Sequence, residues 1–258
     1  MKQEILDYLK EDEKNLKNIK DQTLDICKAS IMINPWSLQY VREQTEEICL
    51  FAIKLNPFVL QCVRDQTEEI CLAAVKENGC VLQYVKEQTP EVCLAAVNKN
   101  GGALEYVKDE FKTEEICLTA VKKEGASLQY VKAKTEEICL AAVKQNPYAL
   151  QWVEKQTEEI CLAAVKENGE VLPYVINQTE KICLEAIKNC PTIINFVKKQ
   201  TFEICMESVK QIPYTLIYIK NQTPELCLEA VKKDPFAINY IKNLTPELIK
   251  YLYENLEN

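Results

Sequence analysis

The chain has 258 residues, 47% hydrophobic and 27% charged, with a formal net charge of −8. That composition is ordinary for a folded protein, and the acidic balance argues against a general polyanion binder. No apolar run approaches the length of a membrane span, and there is no histidine to act as a general base or metal ligand.

The N-terminus, MKQEILDYLKEDEK, is too charged for a signal peptide. Residues 1–22 are expected to form an N-terminal cap that keeps part of a repeating pattern in Leu16, Ile19 and Gln22. The pattern itself occupies 23–244. Ten cysteines, from Cys27 and Cys49 to Cys205 and Cys227, recur every 22 residues with one gap of 24. A fixed period of this length signals a solenoid, in which each repeat packs only on its neighbours.

One repeat reads TEEICLAAVKENGEVLPYVINQ over 157–178, and positions are counted here from its threonine. Thr opens every repeat and is a good helix N-cap; Pro90, Pro224 and Pro246 follow it at the first helical position. Acidic residues such as Glu46, Glu47, Glu68 and Glu69 suit the positive end of the helix dipole, and Lys54, Lys76 or Lys166 suit the other end. A first helix of about nine residues is therefore expected. An Asn-Gly or Asn-Pro turn follows; Gly79, Gly101, Gly125 and Gly169 share their place with Pro35, Pro57, Pro147, Pro191, Pro213 and Pro235. A second, amphipathic helix carries Leu and Val three apart, as in Leu150 and Val153. Pro173 lies inside it and predicts a kink or a late start there.

Position 8 is always Ala or Ser, from Ser30 and Ala52 to Ser208 and Ala230, which marks the closest approach of neighbouring helices. The fold class expected is all-α: an α-solenoid of about ten two-helix repeats with terminal caps. A two-residue insertion at 109–112 carries Phe111 and lengthens one connection. Residues 245–258 form a C-terminal cap helix marked by Leu248, Leu252 and Leu256 with Glu254 and Glu257. Cysteines of adjacent repeats, about 8–10 Å apart at ordinary helix spacing, are too distant for disulfides, so they read as buried free thiols of a reducing, cytoplasmic compartment.

The segment EICLAAVKQNPYALQWVEKQTEEICLAAVKENG resembles short α-helical repeats of unknown function found in giant-virus proteins and some bacteria. Ile138–Val143, Asn146 and Ala149–Leu150 carry the likeness, with Trp152 in the aromatic place, and it extends from Thr23 to about Lys242. The uniform Gln-Thr junction departs from that pattern. The A-V-x-x-N-P fragment also resembles leucine-rich variant repeats. The resemblance implies helical repeats and a viral origin, and it implies no activity.

No C-x-x-C pair, glycine-rich phosphate loop or nucleophile–base pair is present, so no catalytic residue, metal or cofactor is expected. Candidate partner contacts lie on the second helix. Position 18 is aromatic in nine repeats and reads as a packing ladder. Position 14 varies freely and is aromatic at Trp36, Phe58, Tyr148, Tyr214 and Phe236, which reads as an exposed, specificity-bearing row. Arg42, Arg64 and Lys86 begin a basic row at position 20, interrupted by Glu154 and Ile176. The function expected is a non-enzymatic scaffold for a protein partner. The alternatives are a nucleic-acid-binding repeat protein, which would want an uninterrupted basic and stacking row, and a self-assembling structural protein.

Overall fold

A computed structural model describes residues 3–255. Its α-helices are α1 (Gln3–Glu11), α2 (Leu24–Ile33), α3 (Glu46–Leu55), α4 (Glu68–Glu77), α5 (Pro90–Lys99), α6 (Glu114–Lys123), α7 (Glu136–Gln145), α8 (Glu158–Glu167), α9 (Glu180–Asn189), α10 (Phe202–Gln211), α11 (Pro224–Lys233) and α12 (Pro246–Asn255). No strand occurs among the described residues. The expected all-α solenoid is borne out.

From α2 onward each α-helix begins directly after a threonine. The Thr67 hydroxyl accepts the Ile70 N–H, and the Thr89 hydroxyl the Val92 N–H, each at 3.3 Å. Thr23 makes no such side-chain bond. The helix runs for ten residues, as in α3, and ends at an extended residue 12. That residue then caps the next helix: Asn78 Oδ1 accepts the Cys80 N–H at 2.9 Å, and Asp234 does the same for Phe236.

The second helix of each repeat is a 3-10 helix of six residues, such as Gly79–Tyr84, and not the amphipathic α-helix expected. A 3-10 helix has three residues per turn, so side chains three apart stack on one face. Leu82 and Val85 have this spacing, and both are buried with Val81. Pro173 neither kinks nor delays its helix; Gly169–Tyr174 has the same bounds as the others, with Pro173 exposed. The insertion at 109–112 forms one further 3-10 turn, Asp109–Phe111, with Phe111 half-buried.

The turn glycines are used for space and not for unusual dihedrals, since no glycine has a positive φ. A methyl group added to Gly101 would lie 2.6 Å from the Ala120 carbonyl oxygen. Gly79 and Gly169 meet the carbonyls of Ala96 and Ala186 in the same way. Position 13 of one repeat thus presses on the backbone at position 8 of the next, which is why position 8 is small. Proline at this place has no N–H to satisfy, whereas the Gly79 N–H is donated to Asn100 Oδ1 at 2.8 Å.

The chain groups into two bodies, 1–134 and 135–258. In the first, α1 to α6 pack each on its successor, and the 3-10 helices do likewise. Residues 3–22 join this stack as an α-helix and a 3-10 helix in the same order, with Leu9 and Leu16 buried. In the second body α7 to α12 stack in the same manner. Leu248 of α12 is buried, while Leu256 and Glu257 lie outside the described residues.

The core is a four-residue stripe from each of α2 to α11 and a stripe of up to three residues from the 3-10 side of each repeat. In one repeat these are Ile70, Cys71, Ala74 and Val75 with Val81, Leu82 and Val85, all at most 6% exposed. Burying one such Leu or Val contributes about 1.5–3 kcal/mol, and helices this short have no stability alone. None of the thirteen cysteines is in a disulfide, and the ten repeated ones are buried.

Candidate interaction surface

The buried stripes leave two kinds of surface. On the α-helices, positions 6 and 7 stay half-exposed, as at Leu162 and Ala163. Between α8 and α9 they floor an open groove of about 500 Å³, rimmed by Glu158, Glu159, Lys166, Lys181 and Glu185. On the 3-10 helices, positions 14, 17 and 18 point outward.

The junction residues connect these surfaces to the core. Gln44 donates from Nε2 to the carbonyls of Leu38 in its own repeat, at 2.9 Å, and Cys62 in the next, at 3.0 Å. Its Oε1 accepts the Arg64 N–H at 2.9 Å. Gln22, Gln66 and Gln222 make the same three bonds. The repeated thiol completes the pattern: Cys93 Sγ donates to Gln88 Oε1 at 3.5 Å, and Cys161 Sγ to Gln156 Oε1 at 3.6 Å. At the insertion, Lys112 replaces glutamine and donates from Nζ to the Tyr130 carbonyl at 3.2 Å. Asp109 pairs with Lys132 at 2.6 Å, which holds its carboxyl below the usual carboxylate range. Sequence reading noticed the Gln-Thr junction and missed its role; its recurrence in eight repeat ends was the available signal.

The three basic candidates form a continuous ladder. Arg42 donates to the carbonyls of Lys20 and Lys17, Arg64 to those of Arg42 and Val41, and Lys86 to those of Arg64 and Val63. Each cation thereby satisfies carbonyls at or just past the C-terminal end of the preceding 3-10 helix. Their side chains remain exposed, but their donors are committed to the backbone.

The aromatic candidates separate. Trp36 and Phe58 are half-buried, whereas Tyr148, Tyr214 and Phe236 are exposed, Phe236 to 77%. Position 14 packs forward onto position 18 of the next repeat. Phe58 meets Tyr84 edge-on with ring centroids 6.3 Å apart, and Tyr148 meets Tyr174 at the same separation. Tyr148 also donates its hydroxyl to Glu170 at 3.1 Å, and that carboxylate raises the phenol pKa.

Burial pushes the thiols of Cys93, Cys183 and Cys205 up to about 11. Cys62 and Cys80, outside the repeated pattern, are also raised by burial. Among the described residues no cluster of three or more His, Cys, Asp or Glu side chains is placed to hold a metal ion. No helix among them is long and apolar enough to cross a membrane.

A family model described as "Domain of unknown function (DUF4116)" matches residues 45–88, 89–134 and 135–178, just over half of the chain. The chain belongs to this family. The expected membership of a repeat family of unknown function is thus borne out. Each DUF4116 match spans two consecutive 22-residue repeats, so the DUF4116 domain corresponds here to two α/3-10 pairs. The second match, which contains the insertion at 109–112, is two residues longer than the other two. No curated protein and no solved structure matches the chain.

Proposed function

We propose that this protein is a non-enzymatic repeat scaffold that binds another protein. The observation that carries the reading is the contrast between positions 14 and 16. Position 16 is a buried Leu or Ile in almost every repeat, while position 14, two residues away, varies from Gly102 and Glu170 to Tyr148, Tyr214 and Phe236. A constant core under a varied, partly aromatic outer row is the arrangement from which repeat proteins build specific contacts. The raised thiol pKa values and the absence of histidine from the sequence support a role without catalysis. Buried thiols outside any disulfide fit a reducing cytoplasm, and the likeness to giant-virus repeats fits a host cytoplasm.

The test is affinity capture with the full chain from lysate of its native host, with and without nuclease. A stoichiometric protein that survives nuclease, and is lost when Trp36, Phe58 and Tyr148 are changed to Ala in a chain that still folds, is the expected result. Loss of all captured material on nuclease treatment would establish the nucleic-acid reading instead. Light scattering that shows concentration-dependent growth of the purified chain alone would establish self-assembly.

A further inference from the structure

The last three repeats before α12 differ from the others on their 3-10 side. Their 3-10 helices and junctions read PTIINFVKKQ (191–200), PYTLIYIKNQ (213–222) and PFAINYIKNL (235–244), with four lysines and no acid. The matching stretches of the first repeats read PWSLQYVREQ, PFVLQCVRDQ and GCVLQYVKEQ, each with an acid beside the cation. Acids in these last repeats lie on α9, α10 and α11 or cap a helix, as Asp234 does.

The same three stretches carry the most exposed apolar row in the 135–258 body. Phe196 and Ile217 are each 53% exposed, Tyr218 40% and Phe236 77%. Phe58 lies edge-on to Tyr84 in the first body, whereas Glu170 and Thr192 hold the corresponding places before Phe196 and Tyr218. Ile217 stands where half of the repeats have a glutamine that folds back onto the position-14 carbonyl, as Gln151 does onto Tyr148. A row of exposed rings and a branched aliphatic, with Lys199 and Lys220 beside it and no acid within the same three stretches, fits an acidic chain that also carries apolar side chains.

We infer that this face, built by Phe196, Ile217, Tyr218 and Phe236 with Lys199 and Lys220, docks an acidic peptide segment bearing aromatic or aliphatic anchors. The inference rests on the protein-binding reading and names the partner's chemistry. Three repeats at about 8–10 Å each present room for an extended peptide of about seven to nine residues. A peptide is favoured over a nucleic acid for two reasons. Lys198 and Lys242 already donate to the carbonyls of Ile176 and Ile219, each at 2.9 Å, which leaves Lys199 and Lys220 to a ligand, enough for a short acidic segment and few for a polyanion. The row is also confined to three repeats of a chain with net charge −8, which repels a long polyanion.

The experiment is selection of a phage-displayed random dodecapeptide library on the full chain. A fluorescent dodecathymidylate serves as the competing probe. Peptides enriched in Asp or Glu together with Leu, Phe or Trp are expected. Their binding should weaken at least ten-fold in F196A/Y218A/F236A and in K199E/K220E, and should fall with added salt. Circular dichroism confirms that both variants fold; these side chains are exposed. If the library yields no acidic–apolar consensus, the inference fails. If the selected peptides respond to W36A/F58A and not to F196A/Y218A/F236A, the inference fails while the protein-binding reading stands. If dodecathymidylate binds more tightly than any peptide and is lost in K199E/K220E, both fall.

Discussion

Gln88 Oε1 accepts the Lys108 backbone N–H at 2.9 Å, while its Nε2 donates to the Tyr106 carbonyl at 2.8 Å. One buried side chain thus pairs two backbone groups of the following repeat, and it also receives the Cys93 thiol. Gln88→Ala leaves those groups without their partner, and should cost about 2 kcal/mol of unfolding free energy. The comparison is Gln83→Ala, an exposed glutamine bonded only to the nearby Cys80 carbonyl, which should stay within about 0.5 kcal/mol. Urea unfolding of the two variants decides; equal midpoints would show that the junction glutamine is not a connector.

Gly101→Ala should destabilise the chain by about 1–3 kcal/mol, because the new methyl meets the Ala120 carbonyl oxygen and Glu124 Cβ at 2.6 and 2.7 Å. Gly102→Ala, one residue away, meets only the mobile end of the Glu124 side chain at 3.1 Å and should cost less. Thermal melts of the pair separate crowding from a general effect of losing glycine.

The ten repeated thiols should resist labelling in the native state. They are buried, and with a pKa of about 11 at Cys93, Cys183 and Cys205 the thiolate fraction at pH 8 is on the order of one in a thousand. Half-buried Cys62, Cys80 and Cys190 should be the ones that react. Titration with a chromogenic disulfide reagent should give at most three fast equivalents when folded and thirteen in denaturant. Fast labelling of all thirteen would contradict the packing.

Glu46 and Glu69 face each other across adjacent repeats, and a shared hydrogen bond with the second carboxyl raises the Glu46 pKa above its ordinary value. A carboxyl raised on folding adds stability while it is protonated, and that gain is lost as the pH climbs through its folded pKa. At neutral pH the pair is two exposed like charges. Glu46→Gln should therefore raise the melting temperature at pH 7 and change it little at pH 4. The same shift at both pH values would show that the effect is not electrostatic.

Much of this protein is written locally. The 22-residue period, the threonine caps, the acidic first turns and the proline at position 13 each act within a few residues, so they read directly from the chain. The small position 8 was legible for another reason: a crowded contact that recurs in every repeat excludes large side chains at a constant place. The spacing of Leu150 and Val153 also held the correct answer for the second helix, since three residues is the 3-10 period, but six residues are too few to distinguish it from an α-helix by pattern. What the tertiary structure alone decided lies between repeats, at separations of about one period. The Gln44 bonds to Cys62 and Arg64, the reach of Lys86 back to Val63, and the edge-on contact of Phe58 with Tyr84 all join residues of different copies. A repeat sequence states what each copy contains, and only stacking states which atom of one copy meets which atom of the next. The same stacking separates Phe58, half-buried on its neighbour, from Phe236, left open on the surface, although both occupy position 14.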